Sequence, residues 1–503
     1  MKELSDAEIH AVIERVRARV GAGTPTVRPA SSDSAPSTPA SSSTTTVPST
    51  TTVSTSIGIH LSGDGIFPTI DAAVEAAWNA YLAYGPMGLD QRHAIIASVR
   101  ESMREHAAEL AQMARQETGL GRAEDKLRKN LLVANRTPGP EDLAPQAVTG
   151  DQGMTITEYA PYGVIGAITP TTNPTATIIN NAISILSAGN AVVFNVHPNA
   201  KQVSVVNVQL LNRAIVAAGG PPNLVTAIPD PTIASAQALM NHPRVRVLLV
   251  TGGPAVVREA LKTDKKAITA GPGNPPVVVD ETADIEAAGR DIVNGASFDN
   301  NVICTDEKEV FVVQSAAEAL LRAMAAHGAL VLKEYQLRQL ERVIFTQLGE
   351  PGKPGKINPK WIGLNAGRIA REIGITAGDE LRLLVADVPA EHSLVWTEQM
   401  MPVLPVARVR NVEEAIDLAV RAEHHFGHTA SIHSRRVDTI TRMARAINVS
   451  IFVANAPNYA GLGEGGEGFT SFSIASPTGE GLTRARTFSR IRRLTVAGAL
   501  RIV

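Results

Sequence analysis

Gly163-Val164-Ile165-Gly166-Ala167-Ile168-Thr169 is a short apolar run that breaks at Pro170-Thr171-Thr172-Asn173-Pro174, after which Thr175 to Ser187 takes up helical spacing. The rhythm repeats. Ala191 to Asn195, Leu224 to Ile228 and Val245 to Val250 are similar runs, separated by helical segments over Ala200 to Ala218 and Thr232 to Asn241. Short strands alternating with helices specify βαβ units, because two parallel neighbours can be joined only by a crossover that returns the chain to the same edge. A second series follows, with strands expected at Pro276 to Asp280, Glu309 to Val313, Leu381 to Val388, Thr429 to His433 and Val449 to Val453, and helices such as Asn411 to Ala422 between them. The fold class is therefore α/β, with two parallel-sheet units.

Upstream of the first series, Asp71 to Tyr84, Asp90 to Thr118 and Arg122 to Asn135 carry helical periodicity, the second of them long. Ala144 to Ala160 sets Met154 and Ile156 between polar neighbours beside Gly150 and Gly153, the pattern of a β-hairpin. Downstream, the loop Asn455 to Gly468 holds Gly461, Gly463, Gly465, Gly466 and Gly468, and is expected to be mobile or closely packed on a ligand. Arg490 to Val503 alternates weakly and can add a strand to another element.

The first 56 residues read differently. Ser5 and Glu8 form a capping box, and Ile9, Val12, Ile13, Val16 and Val20 fall on one stripe about 100° wide at helical spacing. A signal peptide is not read there, since the segment has no continuous apolar core and no small-residue cleavage site. Residues 21–56 are almost entirely Ser, Thr, Pro, Ala, Val and Gly, too poor in apolar area to offset their ordering entropy, so a disordered linker is expected. A short amphipathic helix on such a tether needs a partner for its stripe: another copy, the folded body or a different protein.

At 503 residues the chain is long enough for two or three domains. Its 47 basic and 49 acidic residues leave a net charge of −2, which gives no pull toward nucleic acid or an anionic membrane and points to a small partner. The most apolar stretch, Ile178 to Val193, is interrupted by Asn180, Asn181, Ser184, Ser187 and Asn190, so no membrane span is expected. The single cysteine excludes an intramolecular disulfide and fits a reducing compartment.

That cysteine, Cys304, ends the stretch Gly295-Ala296-Ser297-Phe298-Asp299-Asn300-Asn301-Val302-Ile303-Cys304. A lone thiol can be an inert core residue. Placed where a helical segment (Ile285 to Ser297) gives way to a loop and strand, it can also face backbone N–H donors that favour a thiolate. Three strand-end loops are candidates to converge on one crevice. In Thr169-Pro170-Thr171-Thr172-Asn173-Pro174, Asn173 is either a helix cap or a donor to an oxyanion. In Asn195-Val196-His197-Pro198, His197 is either a turn residue or a contact to a nucleotide ribose. Thr251-Gly252-Gly253-Pro254 is a strand-to-helix turn whose backbone N–H groups suit a pyrophosphate. No G-x-G-x-x-G fingerprint occurs in these turns.

Three segments carry a family resemblance: Ala270-Gly271-Pro272-Gly273-Asn274-Pro275-Pro276, the run Ala296 to Asn301 leading to Cys304, and Pro477-Thr478-Gly479-Glu480-Gly481 before Ala485-Arg486-Thr487-Phe488. On these, residues 57–503 resemble the aldehyde dehydrogenase superfamily, and specifically its CoA-acylating propionaldehyde and acetaldehyde branch. The resemblance implies a nucleotide-binding domain (57–143 and 161–269), a catalytic domain with Cys304 (270–483) and an oligomerisation arm (144–160 and 484–503), with a homodimer or homotetramer expected. It matches Cys304 to the nucleophile, Asn173 to the oxyanion-stabilising asparagine and Glu398 to the residue that holds the nicotinamide ribose. The three strand-end loops, with Thr169, Pro170, Thr171, His197, Pro198, Thr251, Gly252 and Gly253, are the expected cofactor contacts beside Glu398. Where the wider superfamily has Lys-Pro this chain has His197-Pro198, while strand register selects Asn195 instead.

One departure carries mechanistic weight. Where hydrolytic members have a glutamate that activates water, this sequence has Ala270, which cannot take a proton. The implied course is attack by the Cys304 thiolate, an oxyanion held by Asn173, hydride transfer to NAD and an enzyme thioester released to CoA, in ping-pong order. A short-chain aldehyde is the implied substrate, propanal first and acetaldehyde or a substituted aldehyde after it. A hydrolytic dehydrogenase and an inactive structural component are the competing readings. The helix over residues 1–20 resembles the encapsulation peptides of similar enzymes, which implies shell proteins as partners and a place in the lumen of a cytoplasmic bacterial microcompartment.

Overall fold

Val164–Ile168 (β3 of the chain, after the hairpin strands β1, Gln146–Gly150, and β2, Gly153–Pro161) lies at the centre of a five-stranded sheet. The computed structural model describes residues 62–503; the helix expected over residues 1–20 and the linker over 21–56 lie outside the described residues. From β3 the chain runs outward through β4 (Ala191–Asn195) to β5 (Val225–Ala227), then returns to the other side of β3 as β6 (Val245–Thr251) and β7 (Lys266–Ala270). All four pairings are parallel. The reversal of strand order at β3 opens a crevice above its carboxyl end, where the chain leaves for helices on opposite sides of the sheet. Every residue of β3 and β4 is buried, as a sheet covered on both faces requires.

The helix Pro174–Ser187 that follows β3 is buried along its whole length. Its polar residues therefore have to be satisfied inside the protein: Asn180 donates to Thr137 Oγ1 at 2.9 Å and accepts from the Phe472 amide at 3.1 Å. This is why the most apolar stretch of the sequence carries asparagines and serines. Among the described residues, no helix is long and apolar enough to cross a membrane.

The second sheet has seven strands, all parallel: β8 (Pro276–Val279), β9 (Glu309–Val313), β10 (Ala329–Val331), β11 (Leu383–Val388), β12 (Val403–Val409), β13 (Thr429–His433) and β14 (Ile451–Ala454). Their spatial order is β10-β11-β12-β9-β8-β13-β14. β7, β10 and β12 are strands beyond those the sequence pattern predicts. β12 is buried except at Arg408 and lies inside the sheet, yet it holds Pro405, opposite Ala386. Proline lacks the N–H a central strand donates, so composition argues against the strand that packing imposes.

Two further expectations change. The long helix over Asp90 to Thr118 is two helices, Leu89–Glu105 and Ala107–Thr118, divided at His106, whose backbone leaves the helical region (φ −94°, ψ 6°) and whose imidazole Nδ1 lies 2.9 Å from the Ser102 carbonyl oxygen. In the glycine-rich loop, a Cβ at Gly461 would sit 2.4 Å from Ile451 Cγ2, and one at Gly466 2.3 Å from the Ala460 carbonyl oxygen. Those two glycines let the chain pack on itself. The hairpin β1–β2 forms as expected, and the C-terminal strand β15 (Ser489–Ala497) pairs antiparallel with β2 from Ser489 opposite Pro161 to Ala497 opposite Gly153.

Candidate active site

The carboxyl ends of β3, β4 and β6 open into a cleft of about 680 Å³. All eleven site residues expected from the sequence line it: Thr169, Pro170, Thr171 and Asn173 after β3, His197 and Pro198 after β4, Thr251, Gly252 and Gly253 at the end of β6, and Cys304 and Glu398 from the second half of the chain. Glu398 is the only carboxylate among the lining residues.

Cys304 is delivered by an unusual turn. The helix Ile285–Ala296 ends at Ser297, and Asp299, Asn300 and Asn301 follow with φ of 44°, 57° and 64°, three consecutive non-glycine residues in the left-handed region. That conformation costs roughly 1–2 kcal/mol per residue, least for Asp and Asn, which explains the residue types found there. Buried hydrogen bonds offset the cost. Asn300 accepts from Arg122 Nε at 3.0 Å and donates to the Gly363 carbonyl at 2.9 Å and to Asn365 Oδ1 at 2.8 Å. Asn301 donates to the Ala296 and Glu307 carbonyls, while its own Oδ1 accepts from Lys308 Nζ at 2.6 Å. Asp299 is fully buried; it accepts from the Arg122 amide at 2.6 Å, from Lys126 at 2.9 Å and from Lys129.

The site does not favour the thiolate, contrary to the expectation drawn from loop context. Burial, and after it the Glu398 carboxylate, push the Cys304 thiol up to about 12, with Lys308 acting in the opposite sense. Glu398 itself is raised above the usual carboxyl range by burial, against the pull of Lys308 and the Gly273 amide.

Asn173 occupies the N-cap position of the helix Pro174–Ser187 but makes no capping hydrogen bond. Its Oδ1 accepts from Lys129 Nζ at 2.5 Å and its Nδ2 donates to Thr172 Oγ1 at 3.2 Å. His197 does serve the local turn, its Nδ1 accepting from the Asn199 amide at 3.1 Å while it lines the cleft, and burial lowers its pKa. Asn195, the alternative by strand register, also lines the cleft and accepts from Ser235 Oγ at 2.6 Å.

The floor between β3 and β6 suits a dinucleotide. Thr169 Oγ1 and Thr177 Oγ1 are buried without a hydrogen-bond partner among the described residues. Gly253 caps the helix Pro254–Leu261 with no side-chain hydrogen bond, leaving first-turn N–H groups at the cleft wall. Thr251 Oγ1 lies 2.7 Å from Ser473 Oγ, tying this wall to the loop that carries Phe472 and Ile474.

Sequence reasoning assigned no role to Lys126, Lys129, Asp299 or His428. The lysines had a signal: Lys126, Lys129, Asn130 and Val133 share the i, i+3, i+4, i+7 stripe of the helix Ala123–Arg136, and all are buried. His428 is buried beside Gly273, where an added Cβ would lie 3.1 Å from its Cγ and 2.6 Å from the Cys304 carbonyl oxygen. Burial, and after it Lys308, lower the His428 pKa to about 4, and no residue pattern marks it. Among the described residues no group of His, Cys, Asp and Glu side chains is arranged to hold a metal ion.

Residues 44–332 and 383–473 match the aldehyde dehydrogenase family. The chain belongs to that family. Within it, the chain is 52% identical over 440 residues to the acetaldehyde dehydrogenase (acetylating) EutE of Salmonella typhimurium, covering 87% of this chain and 94% of that one. A propionaldehyde dehydrogenase of Rhodopseudomonas palustris, solved with bound CoA and an acylated cysteine, superposes with a TM-score of 0.85 at 47% identity, over 88% of this chain and 100% of that one. The propionaldehyde dehydrogenase of the Clostridium phytofermentans fucose utilisation bacterial microcompartment gives 0.85 at 44% identity, with the same two coverages.

Proposed function

We propose that the cleft oxidises a short-chain aldehyde, propanal first, to its acyl-CoA through a thioester on Cys304, with NAD as the electron acceptor. The chain is a CoA-acylating aldehyde dehydrogenase by its relatives; the observation that carries the residue assignments is the meeting of Cys304, Asn173 and Glu398 in one cleft with the three strand-end loops. The acetylating relative at 52% identity favours acetaldehyde as the second reading for substrate.

The proposed chemistry follows from the atoms present. Cys304 Sγ bonds to the aldehyde carbon as its proton passes to solvent, and the carbonyl electron pair moves onto oxygen. Asn173, which lines the cleft, donates from Nδ2 to that oxygen. Thr169, Gly252, Gly253 and Glu398 would hold NAD, which would supply the acceptor for the hydride that leaves the aldehyde carbon. Cys304 is left as a thioester. Ala270, buried at the end of β7, offers no carboxylate for activating water, so the acyl group passes to a second thiol. CoA brings that thiol, and its sulfur takes the acyl carbon as the Cys304 bond breaks.

The arm β1–β2–β15 presents Val148, Ile491 and Leu494 to solvent, 72%, 65% and 61% exposed, and we assign it to self-association into a homodimer or homotetramer. Residues 1–20 we assign to microcompartment shell proteins.

The experiment is product analysis with and without CoA. With CoA, acyl-CoA and NADH are expected in equal amounts; without it, NADH formation is expected to stop near one equivalent per Cys304. Steady release of the free carboxylic acid in the absence of CoA would make the enzyme hydrolytic. Cys304→Ala is expected to abolish NADH formation with the melting temperature retained.

A further inference from the structure

Lys129 is a buried charge bonded to the proposed oxyanion donor, and the chemistry above leaves it without a task. It is 2% exposed, and its ammonium lies between the Asp299 carboxylate and Asn173 Oδ1, 2.5 Å away. An ammonium has three donors and no acceptor, so it can bond the oxygen of the Asn173 carboxamide and never the nitrogen. That decides which end of the amide faces the cleft. With Oδ1 held by Lys129, Nδ2 keeps only the Thr172 hydroxyl, at 3.2 Å, and has a second hydrogen to give. The reversed amide would set its NH2 against the ammonium and turn an acceptor toward an oxyanion.

No other device fixes this orientation. Asn173 stands at a helix N-cap without making the capping bond. A neutral carboxamide swings about its last torsion at little cost, because rotation of a terminal sp2 group is broad and roughly two-fold. Asp299 supplies the counter-charge that makes a buried lysine tolerable there: burial works to raise its carboxyl, but Lys126 and Lys129 together hold it below the usual range. The same Asp299 opens the left-handed turn that leads to Cys304. One buried cluster therefore touches both the nucleophile's loop and the amide.

We propose that Lys129 is a positioning residue that holds the Asn173 carboxamide with Nδ2 toward the oxyanion and, through Asp299, keeps that donor in register with Cys304. The inference rests on the reading of Cys304 as nucleophile and Asn173 as oxyanion donor. It adds a specific claim: whatever Lys129 contributes to the reaction, by its own bond or by way of Asp299, it contributes by placing the Asn173 amide, so its effect disappears when that amide is absent.

A mutant cycle on the full chain tests this, reading single-turnover NADH formation, KM for propanal and melting temperature. Asn173→Ala is expected to slow the turnover by about 10²-fold or more, the scale for removing one oxyanion donor. Lys129→Met is expected to slow it about 10- to 100-fold while KM changes by less than about 3-fold, and to add less than about 2-fold in the Asn173→Ala background. Lys129→Gln keeps a neutral donor for Oδ1; it is expected to retain more activity than Lys129→Met beside Asn173 and to match it when Asn173 is absent, and it serves if Lys129→Met does not fold. A loss from either Lys129 variant that is equal in the two backgrounds overturns the positioning role and leaves the oxyanion reading standing. Full activity in Asn173→Ala overturns the oxyanion reading itself, and the inference with it.

Discussion

The Cys304 thiol is the group on which its surroundings act most directly, since burial and the Glu398 carboxylate hold it up to about 12. Cys304 therefore rests as a neutral thiol, and the attack proposed for it has to be accompanied by loss of its proton. A group titrating so far above neutral gains thiolate about tenfold per pH unit. Alkylation of this single cysteine by iodoacetamide is expected to accelerate about tenfold for each pH unit, about 100-fold from pH 7 to 9, without a plateau; a plateau near neutral would mean a thiolate already formed in the resting site. Glu398→Gln removes a like charge, lowers the thiol pKa and is expected to speed alkylation about 3-fold or more at fixed pH. That Cys304 and Asn173 line one cleft was legible from their loops and from the family resemblance. The cluster behind them was not. Lys126, Lys129 and Asp299 are residue types that composition assigns to solvent; the two lysines share a stripe with Asn130 and Val133, but only the packing of the helix Ala123–Arg136 against the Cys304 turn brings all three charges together in the interior.

Between Cys304 and the strand Glu309–Val313 the chain carries Asp306, Glu307 and Glu309, all buried and all raised above the carboxyl range, with burial the largest cause in each. Glu307 is raised to about 8, although one of its oxygens accepts from the Asn458 amide at 2.8 Å. The sign of its contribution follows. A carboxyl with a raised folded pKa binds its proton more tightly when folded, so its contribution is full below the ordinary value of 4.5 and is lost as pH rises through 8. Glu307→Gln keeps the size and removes the charge. The melting temperature of the variant relative to the parent is therefore expected to rise between pH 5 and pH 9; a difference that stays flat over that range would mean that Glu307 does not change its charge there. In sequence this segment looks like a solvated charge run, just as Pro405 looks like the end of a strand. In both places the sheet overrides the local signal, since the strands on either side are buried on both faces and the chain between them has nowhere else to go.

For the whole molecule, the architecture was legible where rhythm carries it. Alternating strands and helices place the carboxyl ends of β3, β4 and β6 on one side, and the cleft is the necessary result. Strand order in the second sheet was not legible, because β12 enters between β11 and β9 and its proline hides it. The first 56 residues raise a question of a different kind, that of where the molecule goes in the cell. The stripe of Ile9, Val12, Ile13, Val16 and Val20 has the spacing of a docking face, and residues 21–56 have the composition of a tether. If the stripe serves a partner, deleting residues 1–56 is expected to leave kcat and melting temperature nearly unchanged while abolishing co-sedimentation with microcompartment shells. Replacing Val12 and Val16 by Glu is expected to have the same effect, because two charges buried on an apolar face cost several kcal/mol, on the order of the whole docking energy of a short helix. Residues 1–56 fused to a fluorescent protein are expected to concentrate it in the shells of shell-forming cells. Diffuse fluorescence from a fusion whose helix is intact by circular dichroism would argue that the stripe docks on the enzyme's own surface instead.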